Sequence, residues 1–294
     1  KNKEKFNKTK ILVNKIKKTE KIFKKIENIK GVEGNNDFTI NSQNIPYSEI
    51  NEWYRSHGGN YNLKYSSTSQ IKSENLKNLK LLWKYKSLDE KLMKTKRTEP
   101  TQINPIYLNG KLISVLPGNK VIAFNPSNGK VLWEFASEKG RTTRRGITGY
   151  IDKKGKEYVF IGFGKNLFKL NLSNGLIEKK FGEKGSIIVH TKTAPLIFKE
   201  KLVIASLKTV EIFDLNTGNF INKIKIHEEN NIKFGGIVWG GSALDTKNGL
   251  LFVTTGNPKP ATYGVDRPGK NERSNSVIAI DLIKNKVAWS FQEI

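Results

Sequence analysis

The feature that most constrains this chain is a phrase that recurs: a short strand, a turn of the form Asn/Asp-x-x-Asn/Thr-Gly, then a returning strand. It first reads Ala123-Phe124-Asn125-Pro126-Ser127-Asn128-Gly129-Lys130-Val131-Leu132-Trp133. It returns as Leu170-Asn171-Leu172-Ser173-Asn174-Gly175 and as Phe213-Asp214-Leu215-Asn216-Thr217-Gly218. A fourth copy, Ala279-Ile280-Asp281-Leu282-Ile283-Lys284-Asn285-Lys286-Val287-Ala288-Trp289, has Asn285 where the Gly stands. A phrase repeated in this way belongs to stacked or radially arranged units, not to one irregular core.

Each copy predicts a hairpin. The alternation in Lys120-Val121-Ile122-Ala123-Phe124 suits a strand with a buried face. The Asn-Gly, Thr-Gly or Asn-Lys pair that follows can take the positive φ that tight turns need. A Trp slot lies four residues after the turn Gly; it holds Trp133 and Trp289, but Lys179 and Asn222 in the middle copies. Leu79-Lys80-Leu81-Leu82-Trp83-Lys84-Tyr85 reads as the closing strand of an earlier unit. Further strands are expected at 111–115, 158–162, 201–205 and 250–254, and an insertion at about 256–276. Each unit thus offers about four short strands, and four-stranded units repeated radially make a β-propeller. A β-sandwich with coincidental turns does not repeat a Gly-x-x-x-Trp phrase. The expected fold class is therefore all-β, with a propeller over 53–294 of about four to five blades. A propeller of this repeat type usually needs more, so the chain reads as a fragment.

The formal charge is +25, and the twelve Lys and three Glu of residues 1–30 contribute +9 of it. Leu12, Ile16, Phe23, Ile26 and Ile29 stand among the lysines as in a basic amphipathic helix. Such a helix can lie on an anionic membrane surface, or serve as a solvated stalk. Residues 1–52 are therefore expected to be a Lys-rich helical or disordered segment with a linker at 31–52. No nucleic-acid motif accompanies the charge, and Lys greatly outnumbers Arg, so no nucleic-acid partner is expected. No run of about 18 apolar residues exists. The chain has no Cys, so neither a disulfide framework nor a thiolate metal site is available.

Four constellations carry chemistry: Arg144-Arg145-Gly146-Ile147-Thr148, His190-Thr191-Lys192-Thr193-Ala194-Pro195, Gly235-Gly236-Ile237-Val238-Trp239-Gly240-Gly241 and Thr254-Thr255-Gly256-Asn257-Pro258. Each is polar or Gly-rich and sits at the edge of a repeat. Equivalent edges of propeller units converge on one face. An Arg, hydroxyls, a Trp face and an Asn amide gathered there suit a flat, anionic, oxygen-rich ligand.

These motifs resemble the pyrroloquinoline-quinone (PQQ)-dependent dehydrogenases, eight-bladed propellers with W-shaped blades. Trp53-Tyr54-Arg55-Ser56-His57-Gly58-Gly59-Asn60 looks like the family's entry segment, and Asn104-Pro105-Ile106-Tyr107-Leu108 like its first cofactor-side strand. Trp239-Gly240-Gly241, Gly256-Asn257-Pro258, Tyr263-Gly264, Arg267-Pro268-Gly269 and Ser274-Asn275-Ser276 resemble its sugar- and polyol-oxidising membrane branch. The resemblance covers 53–294, the amino-terminal half of that propeller. It implies that Arg145 binds the quinone's oxygens or carboxylates, that Thr191 or Thr193 bonds a cofactor carboxylate, that Trp239 forms the floor under the ring, and that Asn257 is a Ca²⁺ ligand. It implies oxidation of a sugar or polyol hydroxyl, electrons passed to a membrane quinone or cytochrome, and a periplasmic location, with anchorage to the inner membrane. The family's catalytic Asp is expected beyond Ile294.

Two departures bear on the metal. The family's acidic residue near the cofactor aligns with Gln102, with Glu99 close by. The Ca²⁺ carboxylate expected after Ala205 is replaced by Ser206-Leu207-Lys208-Thr209, with Glu211 further on. A second reading is a non-catalytic propeller scaffold of the outer-membrane assembly lipoprotein type, which shares the blade phrase and binds no quinone.

Overall fold

The hairpin phrases fold because their first residue is an Asx that closes the turn on itself. Asn125 Oδ1 accepts the Ser127 amide at 2.9 Å, and Asn171 Oδ1 that of Ser173 at 2.8 Å. Asp214 Oδ1 accepts the Asn216 and Thr217 amides at 3.0 and 2.7 Å, and Asp281 Oδ1 those of Ile283 and Lys284 at 2.9 and 2.8 Å. Such turns are set by local chemistry before any packing is made. The residue that ends each turn is left-handed, with φ of 71° at Gly129, 74° at Gly175, 76° at Gly218 and 55° at Asn285. Asn tolerates that region better than other side chains, which is why it can replace Gly in the fourth copy.

The computed structural model describes residues 52–66, 68–86, 102–116, 119–143, 145–228, 235–267 and 269–293. The predicted helix at 11–29, the linker at 31–52 except its last residue, and Glu99 lie outside them. The described residues form four antiparallel four-stranded sheets, each ordered as in the sequence. The first blade is β1 (Ile106–Leu108), β2 (Lys111–Leu116), β3 (Lys120–Phe124) and β4 (Val131–Ala136); the second is β5 (Thr148–Ile151), β6 (Glu157–Phe163), β7 (Asn166–Asn171) and β8 (Ser186–Ile188). The third is β9 (Leu196–Phe198), β10 (Lys201–Ser206), β11 (Thr209–Asp214) and β12 (Phe220–Lys225); the fourth is β13 (Ala243–Asp245), β14 (Leu250–Thr254), β15 (Ser276–Asp281) and β16 (Lys286–Gln292).

The middle strands are apolar on both faces, as in β6, where Tyr158 through Phe163 are all buried. A sheet of that kind must be covered on both sides. The blades achieve this by stacking on one another. One apolar cluster joins the first and second blades through Ile113, Val121, Trp133, Val159 and Leu170. A second joins the second and third through Phe160, Phe181, Leu202 and Phe213. A third joins the third and fourth through Val203, Ile212, Leu251 and Ile280. This is the propeller that the repeats predict.

The Trp slot works between blades. Trp133 Nε1 donates to Leu172 O in the next turn at 2.8 Å, and its ring covers Gly175, where a Cβ would come within 2.6 Å. Trp83 repeats this on the first blade: it donates to Pro126 O at 2.7 Å and covers Gly129, where a Cβ would again come within 2.6 Å. Residues 79–86 therefore dock as a closing strand should, although the expected pairing is not seen; they join no sheet among the described residues. Trp289 holds the same slot on β16 and is 47% exposed.

The middle copies depart for a physical reason. In the second blade Ile177 bridges back to β7 and the Glu178 amide donates to Lys169 O at 2.9 Å, then 179–184 swing out, and Gly185 O takes the Lys169 amide at 3.1 Å before β8 begins at Ser186. Lys179 thus falls outside the closing strand, and Phe181 and Ile187 pack against Gly218 instead. In the third blade Asn222 leaves the slot polar, and Phe198 with Ile283 lies against Gly249.

One segment ties the blades together. Residues 53–60 cross the first strand of each sheet. Trp53 and Tyr107 of β1 exchange backbone bonds at 2.9 and 3.0 Å, and the Gly149 amide of β5 donates to Tyr54 O at 2.6 Å. Asn60 Nδ2 donates to Ile197 O of β9 at 3.2 Å, and the Leu244 amide of β13 donates to Asn60 O at 2.8 Å. At its centre Arg55 is wholly buried and donates to the carbonyl oxygens of Pro195, Gly59, Ser242 and Ala194 at 3.0 to 3.2 Å. Burial pulls its pKa down to about 10, still well above neutral pH, so the guanidinium stays charged.

Gly175→Ala is expected to lose more than about 2 kcal/mol, because it adds left-handed strain and a clash with Trp133. Gly155 has the same φ, 75°, with open space around it, and Gly155→Ala should lose only about 1 kcal/mol. Equal shifts in the urea midpoint would mean that Trp133 docking contributes nothing. Arg55→Met removes a donor from four buried carbonyl groups, of which Pro195 keeps the Thr148 hydroxyl and Gly59 the Asn62 amide, and is expected to lose more than about 2 kcal/mol. An unchanged urea midpoint would show that the crossing segment is not a tie.

Candidate functional site

The constellations converge because three loops lie side by side. Leu207 pairs with Val238, and Val238 with Thr255, as isolated antiparallel bridges. The β10–β11 loop, the Trp239 segment and the segment after β14 thus form a narrow ladder. Behind it, His227 is buried, with Nε2 2.6 Å from Gly236 O and Nδ1 3.3 Å from Glu272 O. Ser274 Oγ accepts the Gly236 amide at 2.8 Å. These contacts hold the Gly-Gly turn that presents Trp239. Gly256 completes the seat, since a Cβ there would strike Trp239 Nε1.

Arg145 links two sides of the site. Its Cζ lies 4.4 Å from the Trp239 ring centroid, a cation–π contact. Its Nη1 donates to Trp239 O at 2.9 Å and its Nε to Gln102 Oε1 at 2.9 Å. His57 Nε2 lies 3.2 Å from Arg145 O. Burial, then the charge of Arg55, lowers the His57 pKa, which favours a neutral ring in that contact.

Beside Arg145 opens a cavity of about 580 Å³, lined by Gln102, Arg141, Thr142, Thr143, Arg145, Gly164, Lys165, His190, Thr191 and Lys192. Four of these are cations and none is a carboxylate. Thr191 Oγ1 is buried and has no hydrogen-bond partner. An orphaned buried hydroxyl is costly unless something fills the need, so this cavity fits a planar anion such as PQQ. A neighbouring cavity of about 410 Å³ shares His190 and adds Ser206, Lys208, Glu211 and Lys223.

The structure thus brings Gln102, Arg145 and Thr191 to one cavity. Trp239 does not line it and meets it through Arg145. Thr193 turns away: it is buried, and its hydroxyl lies 3.5 Å from Ala205 O on β10. Asn257 is exposed and lines neither cavity. Segments 206–209, 235–241 and 254–258 contain no Asp or Glu. No group of three or more His, Cys, Asp or Glu that could hold a metal occurs among the described residues. The donor set around Asn257 therefore does not fit a hard dication, which needs several charged oxygens. Sequence reasoning missed Arg141, Lys165 and Lys192, which are hidden among many other basic residues, and His57, whose contact is long-range.

A family model described as the β-propeller domain of PQQ-type glucose/ethanol/alcohol dehydrogenases matches residues 53–210 and 208–294. The chain belongs to this family. This PQQ propeller is 23% identical over 310 residues to quinoprotein glucose dehydrogenase A of Acinetobacter calcoaceticus, covering 85% of this chain and 39% of that protein. It is 26% identical over 285 residues to the quinohemoprotein alcohol dehydrogenase ADH IIB of Pseudomonas putida, covering 82% and 39%. The PQQ propeller thus spans about two fifths of these relatives' length. Its fold matches a europium-containing methanol dehydrogenase with a TM-score of 0.63 at 17% identity, covering 82% of this chain and 48% of that one. It matches the quinohemoprotein alcohol dehydrogenase of Comamonas testosteroni with a TM-score of 0.62 at 21% identity, covering 82% and 41%.

His227 gives the propeller a pH dependence of definite sign. Burial lowers its pKa, partly offset by the Gly236 and Glu272 carbonyls. The unfolded chain then takes up a proton that the folded one resists, so this contribution is full above about pH 6.5 and is lost as the pH falls below it. His227→Gln is expected to flatten the fall in urea midpoint between about pH 6.5 and 5. An identical acid-side slope in wild type and variant would rule this out.

Proposed function

We propose that this propeller holds PQQ for the oxidation of a sugar or polyol hydroxyl, with electrons passed on to a membrane quinone or a cytochrome. The observation that carries the reading is the cavity lined by Arg141, Arg145, Lys165, Lys192 and Thr191, with Arg145 held over the Trp239 ring. PQQ, when bound, supplies two-electron oxidising power towards a carbon-bound hydroxyl. Arg145 and Thr191 are suited to its carboxylates, through charge-assisted and hydroxyl hydrogen bonds. Arg145, held over the Trp239 ring, offers it a planar guanidinium. Gln102 holds the Arg145 Nε, which orients the guanidinium. None of the residues lining the larger cavity is a carboxylate, and Glu211 of the smaller one is paired with Lys223, so proton abstraction from the substrate is assigned to no residue described here. The sugar or polyol class follows the motif resemblance and the glucose dehydrogenase relative. A periplasmic location belongs to the same reading, with the Lys-rich residues 1–30 against an anionic membrane surface.

Equilibrium dialysis of PQQ against the protein tests this. Arg145→Ala is expected to weaken binding by about 10- to 100-fold, the worth of a charge-assisted bond. Absence of saturable binding by the wild type at tens of micromolar (about 7 kcal/mol or weaker) would sink the reading in favour of a scaffold propeller.

A further inference from the structure

The remaining unusual feature of the site is its charge. The larger cavity presents Arg141, Arg145, Lys165 and Lys192. The smaller one, which shares His190, adds Lys208 and Lys223. Its one carboxylate, Glu211, is held by Lys223 at 3.2 Å and takes the Thr209 hydroxyl at 3.2 Å. Each cavity is lined by a residue whose hydroxyl is buried without a partner, Thr191 in one and Ser206 in the other. Lys208 stands on the β10–β11 loop, which pairs directly with the Trp239 segment.

A divalent cation gains its affinity from anionic oxygens and loses it to nearby positive charge. Here the first are missing from the loop ladder and the second are abundant. A polycarboxylate has the opposite preference: each carboxylate finds an ammonium or guanidinium. We propose that the two cavities form a metal-independent site for a planar polycarboxylate, in which lysines and arginines supply the positive charge that a bound dication would otherwise supply. This rests on the PQQ reading and specifies it. Lys165, Lys192 and Lys208 are the residues assigned to the task. Asn257 has no ligand role.

The test is PQQ binding to the full chain, followed by tryptophan fluorescence in EDTA and in millimolar Ca²⁺. The dissociation constant is expected to agree within about twofold between the two buffers, to rise with salt, and to weaken about tenfold in Lys192→Ala. Asn257→Ala should leave it unchanged. Tightening by Ca²⁺ of about tenfold or more, lost in Asn257→Ala, would overturn metal independence while leaving the PQQ reading intact. No binding in either buffer would overturn both. A terbium titration reads the metal side without PQQ. No saturable tryptophan-sensitised luminescence is expected below about 100 µM, whereas a signal removed by Asn257→Ala would overturn the proposal.

Discussion

The site depends on one buried cation. Arg55 gives its guanidinium protons to carbonyl oxygens at 194, 195 and 242, and its neighbour His57 reaches the carbonyl of Arg145. Those carbonyls belong to the segments that carry Thr191, Trp239 and Arg145 themselves. Loops that come from three different blades are thus placed by a single short stretch of chain. A guanidinium suits this because it is planar, always charged and rich in donors, and can serve several buried carbonyls at once. The rigidity of the cavity wall is set from behind, not by the wall.

The blades were legible in the sequence because their turns are closed by local chemistry. Asn125, Asn171, Asp214 and Asp281 each bond the amides just after them, and that preference needs no partner from elsewhere. The Trp slot was legible as a spacing, but its meaning was not. Only the fold shows that Trp133 sits on the next turn, not on its own. The second blade misled because a hydrophobic Ile177 follows the turn as a strand would, while 179–184 leave the sheet and Phe181 takes over the covering role. The crossing segment left no periodic trace at all, since it pairs one or two residues at a time with strands far along the chain.

The candidate site was legible in part for a related reason. Arg145 and Thr191 were found because each sits at a repeat edge, and edges converge, whereas Gln102 came only from the family resemblance. Thr193, two residues from Thr191, would share its face in a regular strand, but 190–195 form no strand and its hydroxyl turns towards Ala205 O of β10 instead. The cationic lining could not be separated from background: in a chain of net charge +25 a functional lysine looks like any other. Proximity in three dimensions makes Lys165 and Lys192 informative, because like charges are gathered around a concave space instead of being spread apart.

The apolar clusters lie between neighbouring blades, and each blade's packing is shared only with those next to it. Stability in such an arrangement adds up like a row of coupled units, and a row can lose one end while the other persists. The crossing segment changes that. Because it touches the first strand of every blade, it turns a row into a bundle in which all units gain or lose together. Cooperativity here is therefore a property of a short amino-terminal stretch, and the integrity of the cavity reports on whether that stretch is in place.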